Sequence, residues 1–149
     1  MKFRFRLSSL MRQRKIDQDL AQREYASAQK AVRDQMDIIN NLYVEMDSAR
    51  EKSENLQSGG GACINELTQI EEFIDVQKIK IFNSRQHARE LMQKEEEKHE
   101  VLTEKMRAFK ILEKLREKQS TEFKKIRNKI MAREVDDIVT MRFIPKEKL

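Results

Sequence analysis

Apolar residues recur along this chain at alternating intervals of four and three residues. In the first part of the chain the series runs without a break from Ala21 to Leu56. Its members are Ala21, Tyr25, Ala28, Val32, Gln35, Ile39, Leu42, Met46, Ala49, Ser53 and Leu56. This spacing is typical of the seam along which one α-helix packs against another. It predicts a first helix over about residues 8–57.

The same spacing resumes after residue 64 and continues for much longer. No Gly or Pro follows until Pro145, so we predict one helix over about residues 65–142 and a short tail over 143–149. The seam positions of this second helix are Leu67, Ile70, Ile74, Gln77, Ile81, Ser84, Ala88, Leu91, Glu95, Lys98, Leu102, Lys105, Phe109, Leu112, Arg116, Gln119, Phe123, Ile126 and Ile130.

All three glycines of the chain are consecutive, Gly59 to Gly61. Each costs a helix about 1 kcal/mol, and glycine readily adopts left-handed backbone angles, so we expect a turn over residues 58–64. The two seams then match when residue i is paired with residue 123 minus i. Small residues face large ones in this register, as in Ala49 with Ile74 and Ala21 with Leu102. The sequence therefore predicts an all-α fold, an antiparallel two-helix coiled-coil hairpin that forms a single domain over residues 1–149.

Three layers of this register are unfavourable because each places a charged or long polar side chain in the seam. They pair Ala28 with Glu95, Tyr25 with Lys98, and Gln18 with Lys105. A charge in a seam destabilises it unless the charged group reaches water, which a long lysine side chain can achieve.

Two sets of apolar residues have no predicted cover. The register places Leu7 opposite Arg116, so the second helix should overhang as a single helix from residue 117 to about 142. Its apolar residues there are Phe123, Ile126, Ile130, Val135, Ile138 and Val139. Homodimerisation or insertion into a partner would cover them.

The second uncovered set is Phe73, Val76, Ile79 and Phe82, which fall outside the seam at g, c, f and b positions. A third helix or a second copy of the protein would explain it. The alternative is a docking patch, with Phe73 and Phe82 as aromatic anchors.

Charge is distributed unevenly along the chain. The net charge is +6 over residues 1–15, −4 over 16–57, −4 over 58–104 and +7 over 105–149. A hairpin would bring the two basic ends together, so we expect one strongly positive end that suits an acidic partner.

Motifs for catalysis are missing from the sequence. We find no phosphate-binding glycine loop, no metal-ligand spacing and no nucleophile beside a base, so we predict a non-enzymatic protein without cofactor or metal. Cys63 is the single cysteine, and no apolar stretch predicts a signal peptide or a membrane span, which favours the cytosol. The basic residues between Lys124 and Arg133 lack the aromatic residues that would stack bases, so nucleic-acid binding is only an alternative.

The two ends of the chain carry recognisable motifs. The start reads Phe3-Arg-Phe-Arg-Leu7 with Leu10 and Arg14, and the end reads Glu134-Val-Asp-Asp-Ile-Val-Thr-Met-Arg-Phe143. With these ends and this length, the whole chain resembles the FliJ family, the small coiled-coil component of the flagellar type III export apparatus. That family tends to carry a D-E-I/L-A-x-x-R-like run, in which Asp137 here replaces Glu and Val139 replaces Ala.

The resemblance implies a stalk that couples the hexameric export ATPase to the membrane export gate and helps to handle export chaperones. It implies a cytoplasmic protein at the inner membrane, in contact with the membrane only through partners, and no nucleic acid. The expected ATPase-end residues are Phe3, Phe5, Arg14, Asp136, Asp137 and Arg142. The expected gate-end residues are Phe73, Val76, Ile79 and Phe82. The alternatives are a self-associating structural coiled-coil spacer and a basic coiled-coil nucleic-acid binder.

Overall fold

Two α-helices make up nearly all of the structure. The computed structural model describes residues 1–60 and 64–143. Helix α1 spans Ser8–Ser58 and helix α2 spans Ile64–Arg142, and the described residues contain no strand. The helices pack against each other, so the all-α two-helix hairpin is confirmed. Gly61 and Cys63, with most of the predicted tail, lie outside the described residues.

Helix α1 ends at the glycines. The amide of Gly59 still donates to the Asn55 carbonyl at 3.1 Å, but Gly60 has a φ of 67°. A side chain raises the energy of this left-handed conformation, so glycine is the residue that ends the helix here at least cost.

The beginning of the chain extends the hairpin further than predicted. Residues 1–7 precede the helix, and the ring of Phe3 lies 5.7 Å from the ring of Phe123. Phe5 is 6% exposed. The expectation that pairing stops at Leu7 and leaves Phe123 uncovered is therefore wrong, because the two aromatic residues of the N-terminal segment add one more layer. The uncovered part of α2, hereafter the overhang, is residues 124–142, about 28 Å long.

The chain divides into two compact units, which we describe separately. The turn unit is Leu20–Thr103, and the terminal unit is Met1–Asp19 together with the chain from Glu104 onward. Both helices contribute to each unit. The overhang belongs to the terminal unit.

The seam forms the core of the turn unit. Every predicted seam residue of α1 from Ala21 to Leu56 is buried or half-buried. The apolar side chains that are less than 9% exposed in this unit are Ala21, Ile39, Met46, Ala49, Ile81 and Ala88. The seam positions predicted for α1 are therefore the positions that are buried in this unit.

Two glutamines inside this seam connect the helices by hydrogen bonds. Gln35 Nε2 donates to the Ser84 carbonyl at 3.0 Å, and Gln77 Nε2 donates to Glu45 Oε2 at 2.6 Å. The numbers of Gln77 and Glu45 add up to 122 and those of Gln35 and Ser84 to 119, so both bonds lie within about one helical turn of the predicted register of 123. Buried polar groups of this kind specify one register because any slip leaves them without partners. Gln77 is 1% exposed, and its Oε1 has no partner among the described residues.

The side chain of Lys98 does not stay in the seam opposite Tyr25, as the predicted layer would require. Lys98 Nζ lies 3.0 Å from Glu24 Oε2, and both side chains are about half exposed. The Tyr25 ring, freed from this lysine, makes an edge contact with His99 at 5.2 Å. An exposed pair of this kind stabilises by roughly 0.2–1 kcal/mol, so the layer is tolerated rather than strong.

The core of the terminal unit is smaller and more aromatic. Phe5 and Leu112 are buried, and Lys15 Nζ lies 5.4 Å from the centre of the half-buried Phe109 ring. The predicted seam positions Arg116 and Gln119 are exposed, whereas Leu115 is half-buried. The structure therefore turns the apolar neighbour inward in place of the arginine, one residue earlier than the predicted seam position.

Candidate functional site

An apolar groove opens in the turn unit beside the seam. It has a volume of about 920 Å³. Its apolar lining residues are Val44, Ala49, Leu56, Ile70 and Phe73, and its polar ones are Glu45, Ser48, Lys52, Asn55, Glu66 and Gln69. Apolar walls with a charged rim are typical of a site that receives one face of an amphipathic partner helix.

The four predicted gate-end residues are exposed but do not share one face. Phe73, Val76, Ile79 and Phe82 are 43%, 49%, 62% and 62% exposed. Consecutive residues are about 100° apart around a helix, so side chains spaced three apart rotate by about 60° at each step. Phe73 and Phe82 consequently point in opposite directions.

The surroundings of the two phenylalanines differ accordingly. Phe73 lines the apolar groove, whereas Phe82 lies in a smaller cleft of about 160 Å³ with Arg85, Gln86 and Arg89. The structure therefore separates the predicted stripe into two surfaces, of which only the one at Phe73 is a groove with several apolar walls.

Val44 is a groove residue that sequence reasoning missed. It is 67% exposed and sits outside the seam of α1, next to Tyr43, which is itself 37% exposed. An exposed valine at a non-seam position is the same signal that singled out Phe73 on α2. A search for such residues on α1 would have found Val44, although the register places it opposite Ile79 and not beside Phe73.

A second groove, in the terminal unit, is basic. It has a volume of about 530 Å³. The lining residues are Phe3, Arg4, Phe5, Ser8, Met11, Arg12, Lys15, Phe109 and Arg116, with four bases and no acid. The first residue of α1, Ser8, also lines it, and the N-terminal end of a helix carries a partial positive charge. This groove is suited to an acidic segment that also carries an apolar side chain.

The predicted ATPase-end residues are distributed over two parts of the terminal unit. Phe3 and Phe5 line the basic groove, and Arg14 is half-buried. Phe5 is buried, so its contribution is to shape this groove from within. Asp136, Asp137 and Arg142 are exposed on the overhang.

The three overhang residues of this set do not form one cluster. At about 100° per residue, Asp136 and Asp137 lie about 100° apart, and each is more than about 100° from Arg142 around the helix. A partner that contacts all three would have to surround the helix. Enclosure by a ring would satisfy this requirement, whereas a flat surface would not.

The charges of the two units are opposite in sign. The described residues of the terminal unit carry 18 bases and 9 acids, a net charge of +9. Those of the turn unit carry 11 bases and 16 acids, a net charge of −5. Both basic ends of the chain belong to the terminal unit. We therefore expect the terminal unit to favour acidic partners and the turn unit to favour basic ones.

No helix in the described part of the chain is long and apolar enough to cross a bilayer. Within residues 1–60 and 64–143 there is also no group of three or more His, Cys, Asp or Glu side chains arranged to hold a metal ion.

The chain matches one known protein family. The family model described as flagellar FliJ protein matches residues 2–148, essentially the whole chain. The chain belongs to the FliJ family. No match was found among the curated proteins or among the solved structures. The resemblance seen at the two ends of the sequence is thus confirmed, and this FliJ-family chain is a component of the flagellar protein export apparatus.

Proposed function

We propose that this FliJ-family chain is a non-enzymatic stalk that couples the hexameric export ATPase to the membrane export gate and assists the handling of export chaperones. It acts on the cytoplasmic side of the inner membrane and meets the membrane only through its partners. The observation that carries this proposal is the pair of units with opposite charge, each with its own exposed groove.

The terminal unit is the ATPase end in this proposal. Its basic groove contains no acid, so an acidic loop of the ATPase would be attracted there and held by Phe3. Arg14, Asp136, Asp137 and Arg142 would make polar contacts. Because the last three point in different directions from one helix, a ring that encloses the overhang could use all of them.

The turn unit is the export-gate end. Phe73 offers an aromatic anchor in a groove, and Val76, Ile79 and Phe82 extend the apolar surface around α2. Aromatic residues in apolar pockets commonly provide most of the binding energy at an interface. The net charge of −5 in this unit favours a gate segment that is basic.

Two purified partners test the proposal. Serine at both Phe73 and Ile79 should weaken binding to the cytoplasmic part of the export gate by at least about tenfold and abolish motility, with the melting temperature unchanged. Alanine at Asp136, Asp137 and Arg142 should lower stimulation of the ATPase while gate binding stays normal. Ile111→Ser, which changes a residue that is 66% exposed in the terminal unit, is the control for loss of an apolar surface residue.

Other results would point to other functions. If neither variant changes gate binding or ATPase stimulation, the stalk is the wrong function, and a structural spacer would account for the fold. Binding to nucleic acid that falls steeply with salt and needs no protein partner would favour the nucleic-acid alternative. A large loss of stability in the Phe73 and Ile79 variant would show that these residues act in folding.

A further inference from the structure

The overhang and the apolar groove of the turn unit have complementary chemistry. We propose that the overhang of one copy of this chain docks in the apolar groove of a second copy. This self-association concerns the free protein and goes beyond the stalk function. It would cover exposed apolar residues of the groove and of one face of the overhang in a single contact.

The overhang is amphipathic, with one face that is apolar in the middle and basic at both ends. Around the helix axis, Met131, Ile138 and Val139 lie within about 60° of Val135. These four residues are 47–57% exposed. Lys124 and Arg142 lie on the same face, about 20° from Val135, whereas the acids Glu134, Asp136 and Asp137 are all at least about 100° away.

The groove is complementary to this face in length. It follows α1 from Val44 to Leu56, a rise of about 18 Å. The apolar part of the overhang, from Met131 to Val139, rises about 12 Å, and Lys124 and Arg142 are about 27 Å apart along the axis. The apolar side chains therefore fit within the groove, and the two bases reach beyond its ends.

The groove is also complementary in charge. Two acids, Glu45 and Glu66, and one base, Lys52, line it, and residues 44–75 carry eight acids against two bases. A basic amphipathic helix is the occupant that this surrounding favours. The chain itself supplies one, since every residue of the overhang is exposed in the single copy.

Docking in this way adds a third helix to the two that form the groove. Three helices that share one apolar core bury each seam more fully than two, because ridges of the third helix fill the space between the others. Phe73 lies in the groove and Arg142 on the docked face, so self-association would hide residues that the stalk function needs. Free copies would then be held in a masked state until the ATPase or the gate competes for these surfaces.

Disulfide crosslinking tests the contact directly. In a Cys63→Ser background, one tagged copy carries Val44→Cys or Asn55→Cys, at the two ends of the groove, and a second, differently tagged copy carries Asn128→Cys, about 20° from Val135 and just beyond the apolar part of the overhang. We expect a crosslink between the two copies under mild oxidation. Gln93→Cys, at an exposed position of the turn unit outside the groove, is the matched control and should not crosslink with Asn128→Cys.

Charge reversal tests the driving force. Glutamate at Lys124 and Arg142 should weaken self-association at low salt by at least about tenfold. Glutamate at Lys129 and Arg133 changes the net charge equally but lies about 120–160° from Val135, so it should have little effect. Lysine at Ser48 and Glu66 reverses the net charge of the groove without disturbing the Gln77–Glu45 hydrogen bond. It should weaken self-association by a similar factor.

Mixing provides the final check. The groove-reversed and overhang-reversed copies should each remain monomeric alone, but together they regain one native contact and should associate. A chain that stays monomeric at every concentration in sedimentation would overturn the proposal. So would crosslinks that form only between two copies of Asn128→Cys, because they would show that the overhang pairs with itself. These experiments use the purified chain alone, so their failure leaves the stalk function to its own tests.

Discussion

Helix α2 uses the same residue spacing in two regions, with opposite results. Between Leu67 and Leu91 every seam residue is buried or half-buried against α1. In the overhang, the seam residues Ile126 and Ile130 are 58% and 40% exposed. Periodicity therefore identifies a helix face that can be buried, and whether it is buried depends on a second helix being within reach.

The comparison also separates two sources of helix stability. In the turn unit, side-chain burial in the seam holds the helix. The overhang is about 28 Å of helix that depends on the intrinsic preferences of its residues and on connection to the packed part of α2. A surface that is stable only as an extension of a packed helix is well suited to gain order from a partner.

The strongest test of this comparison removes one isoleucine from each region. Ile81→Ala in the turn unit should lower the free energy of unfolding by about 2–4 kcal/mol, because Ile81 is 6% exposed and its loss leaves a cavity. Ile130→Ala in the overhang should change it by less than about 0.5 kcal/mol. Urea denaturation followed by circular dichroism measures both. Equal losses would show that the overhang is packed in solution.

A second test changes a polar seam residue. Gln77→Leu removes a buried amide whose Oε1 has no described partner, and Glu45 is exposed enough to be hydrated instead. We expect the free energy of unfolding to rise by about 1 kcal/mol. Register should become less specific at the same time.

Register is measured by cysteine pairs in the turn unit. Cysteines at Leu42 and Ile81 should crosslink within one chain, whereas Leu42 with Ala88 should crosslink only if the helices slip. A destabilised Gln77→Leu variant would contradict the expected gain in stability. A variant that keeps only the first crosslink would show that this glutamine does not specify the register.

The smallest expected effect is at the charged layer. Single and double alanine replacements of Glu24 and Lys98 should give a coupling energy of roughly 0.2–1 kcal/mol at low salt, since both side chains are about half exposed. Thermal unfolding at two salt concentrations measures it. A coupling that does not fall with salt would show that the pair is more enclosed in solution than its exposure indicates.

The sequence by itself determined the two helices, the turn between them and the seam. Such features depend on local chemistry, such as the freedom of Gly60 in the left-handed region, and on a repeat that is visible in one dimension. It also determined the family, because the motifs at both ends are contiguous residues. The uneven charge could likewise be counted before any folding was considered.

Only the tertiary structure decided where pairing ends and which exposed residues share a surface. Phe3 contacts Phe123 from a non-helical segment, and no repeat in the sequence predicts that contact. Val44 and Phe73 meet in one groove, whereas Phe82 faces away, because the rotation of a helix and the position of its neighbour act together. Burial at Leu115 in place of Arg116 has the same origin. A sequence pattern specifies positions on each helix, but a surface exists only when the second helix supplies its other wall.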